Sequence, residues 1–120
     1  MTANDILAYC LAKKAAYEDH PFGPSPTCAK VGGRIFAQIL SDSETLRVTL
    51  KCEPVLAQIL RAQYPDIVSR GYHCPTTQQP HWNTIRTDQI EDSVLLEMID
   101  HSYERAVNSL TKKARAELLL

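Results

Sequence analysis

The sequence predicts an α+β fold, a two-layer sandwich in which an antiparallel sheet of about five strands carries its helices on one face. Three observations point there. Apolar residues recur at helical spacing near both ends of the chain and again after Pro54, whereas the stretch from Thr27 to Cys52 switches to a period of two. Gly32-Gly33 stands between two β-rich runs, where two glycines supply the positive φ values of a two-residue hairpin turn. A helix and a sheet each have one apolar side to hide, and packing one on the other hides both. A length of 120 residues fits a single domain spanning 1–120.

The first helix is expected from about Ala3 to Ala16. Thr2 or Asn4 can cap it, Asp5 sits where a helix N-terminus favours negative charge, and Ile6, Leu7, Cys10 and Leu11 share one face. Between Glu18 and Pro26, three prolines and a glycine exclude a helix or central strand, so this is an irregular connector pinned by Phe22. Thr27–Val31 and Arg34–Leu40 form the arms of the hairpin, with Val31 opposite Arg34. A turn from Ser41 to Glu44 leads into a third strand, Leu46–Cys52. There Leu46, Val48, Leu50 and Cys52 face the core while Arg47, Thr49 and Lys51 face water.

Pro54 suits the first position of a helix with the stripe Val55, Leu56, Ile59 and Leu60, ending near Tyr64 before Pro65. Ile67–Tyr72 reads as a short strand, residues 73–80 as a loop, and His81–Thr87 as the second arm of another hairpin. Asp92 or Ser93 opens a long helix with Leu95, Leu96, Ile99, Tyr103, Ala106, Val107 and Leu110 on its apolar face. Thr111 caps a short tail helix, Lys112 to Leu119, whose terminal leucines can fold back onto the core. The order is α-β-β-β-α-β-β-α with a tail.

Composition narrows the function classes. With 44% hydrophobic and 22% charged residues, the chain is neither disordered nor fibrous. No run approaches the roughly 18 consecutive apolar residues of a membrane helix. The start, Met1 to Asp5, lacks the basic-then-apolar pattern of a secretory signal, so the expectation is a cytoplasmic, monomeric protein with no membrane partner. Thirteen basic against 14 acidic side chains exclude the strongly basic footprint of many nucleic-acid binders.

Candidate chemistry is sparse. Cys10, Cys28, Cys52 and Cys74 are widely separated and form no C-x2-C pair, so neither a zinc ribbon nor a disulfide framework is expected. Cys10 and Cys52 read as small buried hydrophobes. Cys74 beside His73, with His81 and Trp82 following, is the one cluster from which a nucleophile or a metal site could be built. Adjacent residues on an extended chain point apart, however, and three ligands are few. No catalytic residue, metal or cofactor is therefore expected, and the chain is read as a non-enzyme.

Five stretches occur together in order: Pro21-Phe22-Gly23, Lys30 to Ala37, Leu50 to Pro54, His81 to Ile85, and Ile99 to Tyr103. With them the chain resembles the MmcQ/YjbR-like family of small bacterial proteins over nearly its whole length. The resemblance implies a frataxin-like (CyaY-like) α+β fold, in agreement with the element order, and a "double wing" of protruding hairpins that binds DNA. Iron handling of the frataxin kind would need a ridge of carboxylates on the first helix, where this chain has Asp5 alone before Glu18 and Asp19.

Charge is unevenly distributed. Residues 27–51 carry four basic and two acidic side chains, residues 111–120 three and one, and residues 91–110 one and five. Lys30, Arg34, Arg47, Lys51 and Arg86 are thus the candidate phosphate contacts for weak, salt-sensitive binding of double-stranded DNA. Each also fits the solvated face of an ordinary sheet. Glu97, Asp100 and Glu104 make an acidic stripe on the last long helix. The alternative function is an adaptor that binds a small ligand or a protein through the face around His81, Trp82 and His73. There Trp82 either anchors its hairpin against the core or offers a stacking platform.

Overall fold

In the computed structural model, which describes residues 1–41 and 44–120, the chain reverses at Gly32 and Gly33 with φ of 56° and 81°. This turn joins β2 (Thr27–Val31) to β3 (Arg34–Leu40) and sets Val31 opposite Arg34. A β-bulge follows. Ala29 pairs with Ala37 and the next residue, Lys30, with Ile35, so Phe36 has no partner across the strand. The extra residue lets Phe36 and Ala37 both be fully buried. Part of the expected turn, Asp42 and Ser43, lies outside the described residues.

The sheet has six strands rather than about five, in the order β1-β2-β3-β4-β6-β5, with every pair antiparallel. The added strand is β1 (Tyr17–Asp19), which pairs with β2 and overlaps the start of the stretch expected to be irregular. Edge pairing needs only backbone groups and carries no apolar alternation, so the sequence pattern there is silent. The connector is not pinned by Phe22, which is 63% exposed. An ion pair between Lys30 and Asp19, 2.7 Å, ties the edge strand instead.

The central strands are β4 (Arg47–Lys51) and β6 (Trp82–Arg86), and β5 (Val68–Arg70) closes the far edge. Val48 and Leu50 are buried on the helix side, as the alternation requires. Thr49 was expected in water, yet it is fully buried, and Arg47 and Lys51 are half-buried. The reason is tertiary. Cys28, Gln38, Thr49 and Thr84 form one row across the sheet's second face, all buried, with the Thr49 and Thr84 hydroxyls 2.8 Å apart. The loop after β5 doubles back beneath this row, where the His73 ring nitrogen Nε2 meets Gln38 Oε1 at 3.2 Å.

Helices α1 (Ala3–Leu11), α2 (Pro54–Gln63) and α3 (Asp92–Asn108) pack on the first face, and α4 (Lys112–Glu117) follows as the tail. Thr2 caps α1 in a reciprocal capping box with Asp5. The helix stops five residues short of Ala16 because the next segment is recruited elsewhere. Lys13 and the Tyr9 hydroxyl both bind Asp100 of α3, the Tyr103 hydroxyl donates to the Lys14 carbonyl at 2.6 Å, and Ala15 takes φ 61° before β1. One member of the acidic stripe is thus a tie between helices. On α2, Ala57 is buried and Leu60 packs on the core, whereas Val55 and Ile59 point outward, because Arg61 and Ala57 are drawn to Asn83 of β6. Among the terminal leucines, Leu120 packs on the core and Leu119 does not.

Helix α3 packs on the core through Leu95, Ile99 and Ala106, and one hydroxyl adds polar ties. Ser102, fully buried, accepts a hydrogen bond from the Lys51 N–H at 2.8 Å and donates to the Phe36 carbonyl, so it joins α3 to β4 and to the bulge in β3. Replacing Ser102 with alanine strands a buried N–H and a buried carbonyl. Ser102→Ala is expected to lower stability by about 1–3 kcal/mol in urea unfolding, the usual cost of unsatisfied buried polar groups. An unchanged midpoint would show that water takes over both bonds.

Candidate functional site

The five cations named from sequence do not share one surface role. Lys30 is paired with Asp19, and Arg86 lies 3.7 Å from Asp88. Arg47 is half-buried opposite Arg86, and its positive field reaches His73. Arg34, exposed at the hairpin, and Lys51, at the end of β4, do come together electrostatically, and they are joined by Arg105 of α3. Burial, and then the like charges of Arg34 and Arg105, push the Lys51 ammonium below the usual lysine range. Its Nζ sits 5.6 Å from the centre of the Trp82 ring, where the aromatic face partly offsets the lost hydration.

Arg105 escapes a strand-based reading because it belongs to the helix with the most acidic segment of the chain. Its position nevertheless follows from helical spacing. Ser102, Arg105 and Ser109, at i, i+3 and i+7, fall on one stripe, and Ser102 holds the Lys51 backbone. Glu53 lies near enough to feel Arg105, but its two oxygens accept from the Val55 and Leu56 N–H groups at 3.0 and 2.9 Å and cap α2.

A pocket of about 140 Å³ opens at this junction, lined by Lys51, Cys52, Gln78, His81, Arg105 and Ser109. None of these is acidic. His81 reaches it because its carbonyl accepts from the Cys52 N–H at 2.8 Å, which continues the β4–β6 ladder by one residue. A larger groove of about 370 Å³ runs between α2 and α3 over Leu50 and Ile85, walled by Leu56, Leu60, Val94 and Met98.

The face around His81, Trp82 and His73 is divided by the sheet and loop. His73 bonds to Gln38, Trp82 is 7% exposed, and His81 lines the cationic pocket. A residue so covered anchors its strand and offers no open ring face for stacking. Cys74 packs toward the place where Gly71 and Trp82 meet. Among the described residues, no three His, Cys, Asp or Glu side chains converge as a metal site would require, and no helix is long and apolar enough to cross a membrane.

This fold, a six-stranded antiparallel sheet with helices on one face, has known counterparts. A model of the YjbR family matches residues 11–105, and the chain belongs to that family. It is 32% identical to the protein YjbR of Escherichia coli K12 over 120 residues, covering 99% of this chain and 98% of that one. It is also 29% identical over 94 residues to the protein YbdF of Escherichia coli O157:H7, covering 78% of this chain and 74% of that protein. Among solved structures, a Deinococcus radiodurans protein with a DUF419 domain superposes with a TM-score of 0.89 at 28% identity, over 99% of this chain and 88% of that one. A Pseudomonas syringae protein shares the fold with a TM-score of 0.74 at 19% identity, over 88% of this chain and 99% of that one.

Burial also sets the thiol chemistry. It pushes Cys10 up to about 12 and Cys28 and Cys52 up to about 11, and it raises Cys74, which is only partly covered. Since the thiolate is the reactive form, native protein at mildly alkaline pH is expected to alkylate first at Cys74, with the other three reacting only on unfolding. Peptide mapping after a short iodoacetamide pulse checks this. Early labelling of Cys10 or Cys28 would contradict the packing described.

Proposed function

We propose that this YjbR-family chain acts by binding rather than catalysis, and that it holds the phosphate backbone of duplex DNA weakly along one basic edge. The observation that carries the proposal is the seating of the Gly32 turn against Leu110. A methyl group at Gly32, whose φ of 56° suits glycine, would lie 2.7 Å from Leu110 Cδ1, so the turn rests directly on that side chain. Leu110 immediately precedes the cap of α4, and the contact therefore brings the positive meander beside the positive tail. Arg34 and Arg105 act on Lys51 at the end of β4, and the tail opens with exposed Lys112 and Lys113.

Two of the five cations expected from sequence, Arg34 and Lys51, belong to this edge. The carboxylates beside Lys30 and Arg86 support leaving those two out. The double-wing reading that accompanies the family resemblance agrees with a hairpin supplying Arg34. Phosphate contacts of this kind give affinity without base recognition, so sequence preference is expected to be slight.

Four or five contacts predict a slope of log K against log salt of about −4 on random duplex DNA, at roughly −0.9 per phosphate. Fluorescence anisotropy of a labelled duplex measures it. The double substitution Arg34→Ala/Arg105→Ala is expected to flatten the slope by about two units, whereas Lys30→Ala should change it little. Absence of micromolar binding at low salt, or an affinity indifferent to salt, would overturn the proposal.

A further inference from the structure

We propose that the pocket at the junction of β4, β6 and α3 is a site for a phosphomonoester, the terminal phosphate of a nucleic-acid end or of a free nucleotide. The inference deepens the phosphate-binding reading of the same edge and rests on it. It assigns a discrete site where that reading has only a surface.

The chemistry of the lining singles out this ligand. The lining residues Lys51, Arg105, Gln78, His81 and Ser109 carry an ammonium, a guanidinium, a carboxamide, an imidazole and a hydroxyl, with Cys52 at the side. Every one of the first five can donate, and no carboxylate shares the wall. The Ser109 hydroxyl donates to the Ala106 carbonyl at 2.6 Å, which leaves its oxygen lone pairs and, on rotation, its proton for a ligand. Arg105 lies in the last turn of α3, where a cation complements the helix dipole. That role explains Arg105 alone. It does not explain why Lys51 is half-buried near two like charges, an arrangement that a bound anion would offset.

Geometry favours a monoester over a backbone diester. The pocket, about 140 Å³, is small enough for one phosphate group with its substituent leaving through the mouth. A monoester carries about −1.5 to −2 charges near neutral pH, against −1 for a diester, so the same cations hold it more strongly. Recognition by charged donors is strong where the site is partly desolvated, as it is around Lys51.

Trp82, whose ring centre lies 5.6 Å from the Lys51 ammonium, is the only tryptophan and reports on the site through Lys51. Inorganic phosphate titrated at constant ionic strength is expected to change its fluorescence saturably, while chloride should not. In anisotropy competition, a duplex with 5′-phosphate ends is expected to bind about tenfold tighter than the same duplex with 5′-hydroxyl ends, the advantage a charge-assisted contact confers. Lys51→Met, which keeps the aliphatic stem, and Arg105→Gln should each abolish both effects while retaining the far-UV spectrum and a cooperative melt.

A nucleoside monophosphate that binds as tightly as the phosphorylated end would identify a free nucleotide as the source, and tighter binding of the end would identify nucleic acid. A phosphate response no greater than that to chloride, or an end preference that survives in both variants, would overturn the site. The two readings fail separately. Salt-dependent binding of the hydroxyl-ended duplex without any phosphate preference sinks the pocket and spares the DNA edge. Phosphate binding without duplex binding does the reverse.

Discussion

A single buried hydroxyl organises this molecule. Ser102 bonds at once to the backbone of β4 and to the bulge of β3, and so fixes where α3 crosses the sheet. Buried backbone groups must find partners, and at the point where the bulge interrupts the ladder a helix side chain supplies them. Everything C-terminal along the same helix stripe inherits its place from that contact. Arg105 arrives beside Lys51 one turn later, and Ser109 closes the pocket after it.

The second constraint is the glycine turn. Because Gly32 has no side chain, the hairpin can lie on Leu110, and the tail helix leaves from beside it. In the proposed reading, these two contacts set the positive meander beside the positive tail. The opposing carboxylates are employed elsewhere. Asp100 ties α1 to α3, Asp19 holds Lys30 at the sheet edge, and Glu53 caps α2. Charges that a composition count would cancel are thus separated in space.

The sheet is covered on both sides, though by different means. Helices bury the apolar face, while the loop following β5 shields a row of small and polar side chains on the other. That second layer is thin and hydrogen-bonded rather than greasy. It accounts for the buried Thr49–Thr84 pair.

The sequence by itself determined the α+β class, the Gly32-Gly33 hairpin with Val31 opposite Arg34, the start of α2 at Pro54 and the cap of α4 at Thr111. Each rests on local chemistry: backbone freedom at glycine, a missing N–H at proline, a hydroxyl at a helix start, and periodicity over a strand or helix. Tertiary structure alone decided the early end of α1, the edge strand Tyr17–Asp19, the burial of Thr49 and the outward turn of Val55 and Ile59. None of these has a local cause, since each depends on a partner distant in sequence. The candidate site divides the same way. Arg34 and Lys51 were legible as cations on a β meander, but Arg105, Gln78 and His81 join them only because a helix, a loop and a strand end meet at one place.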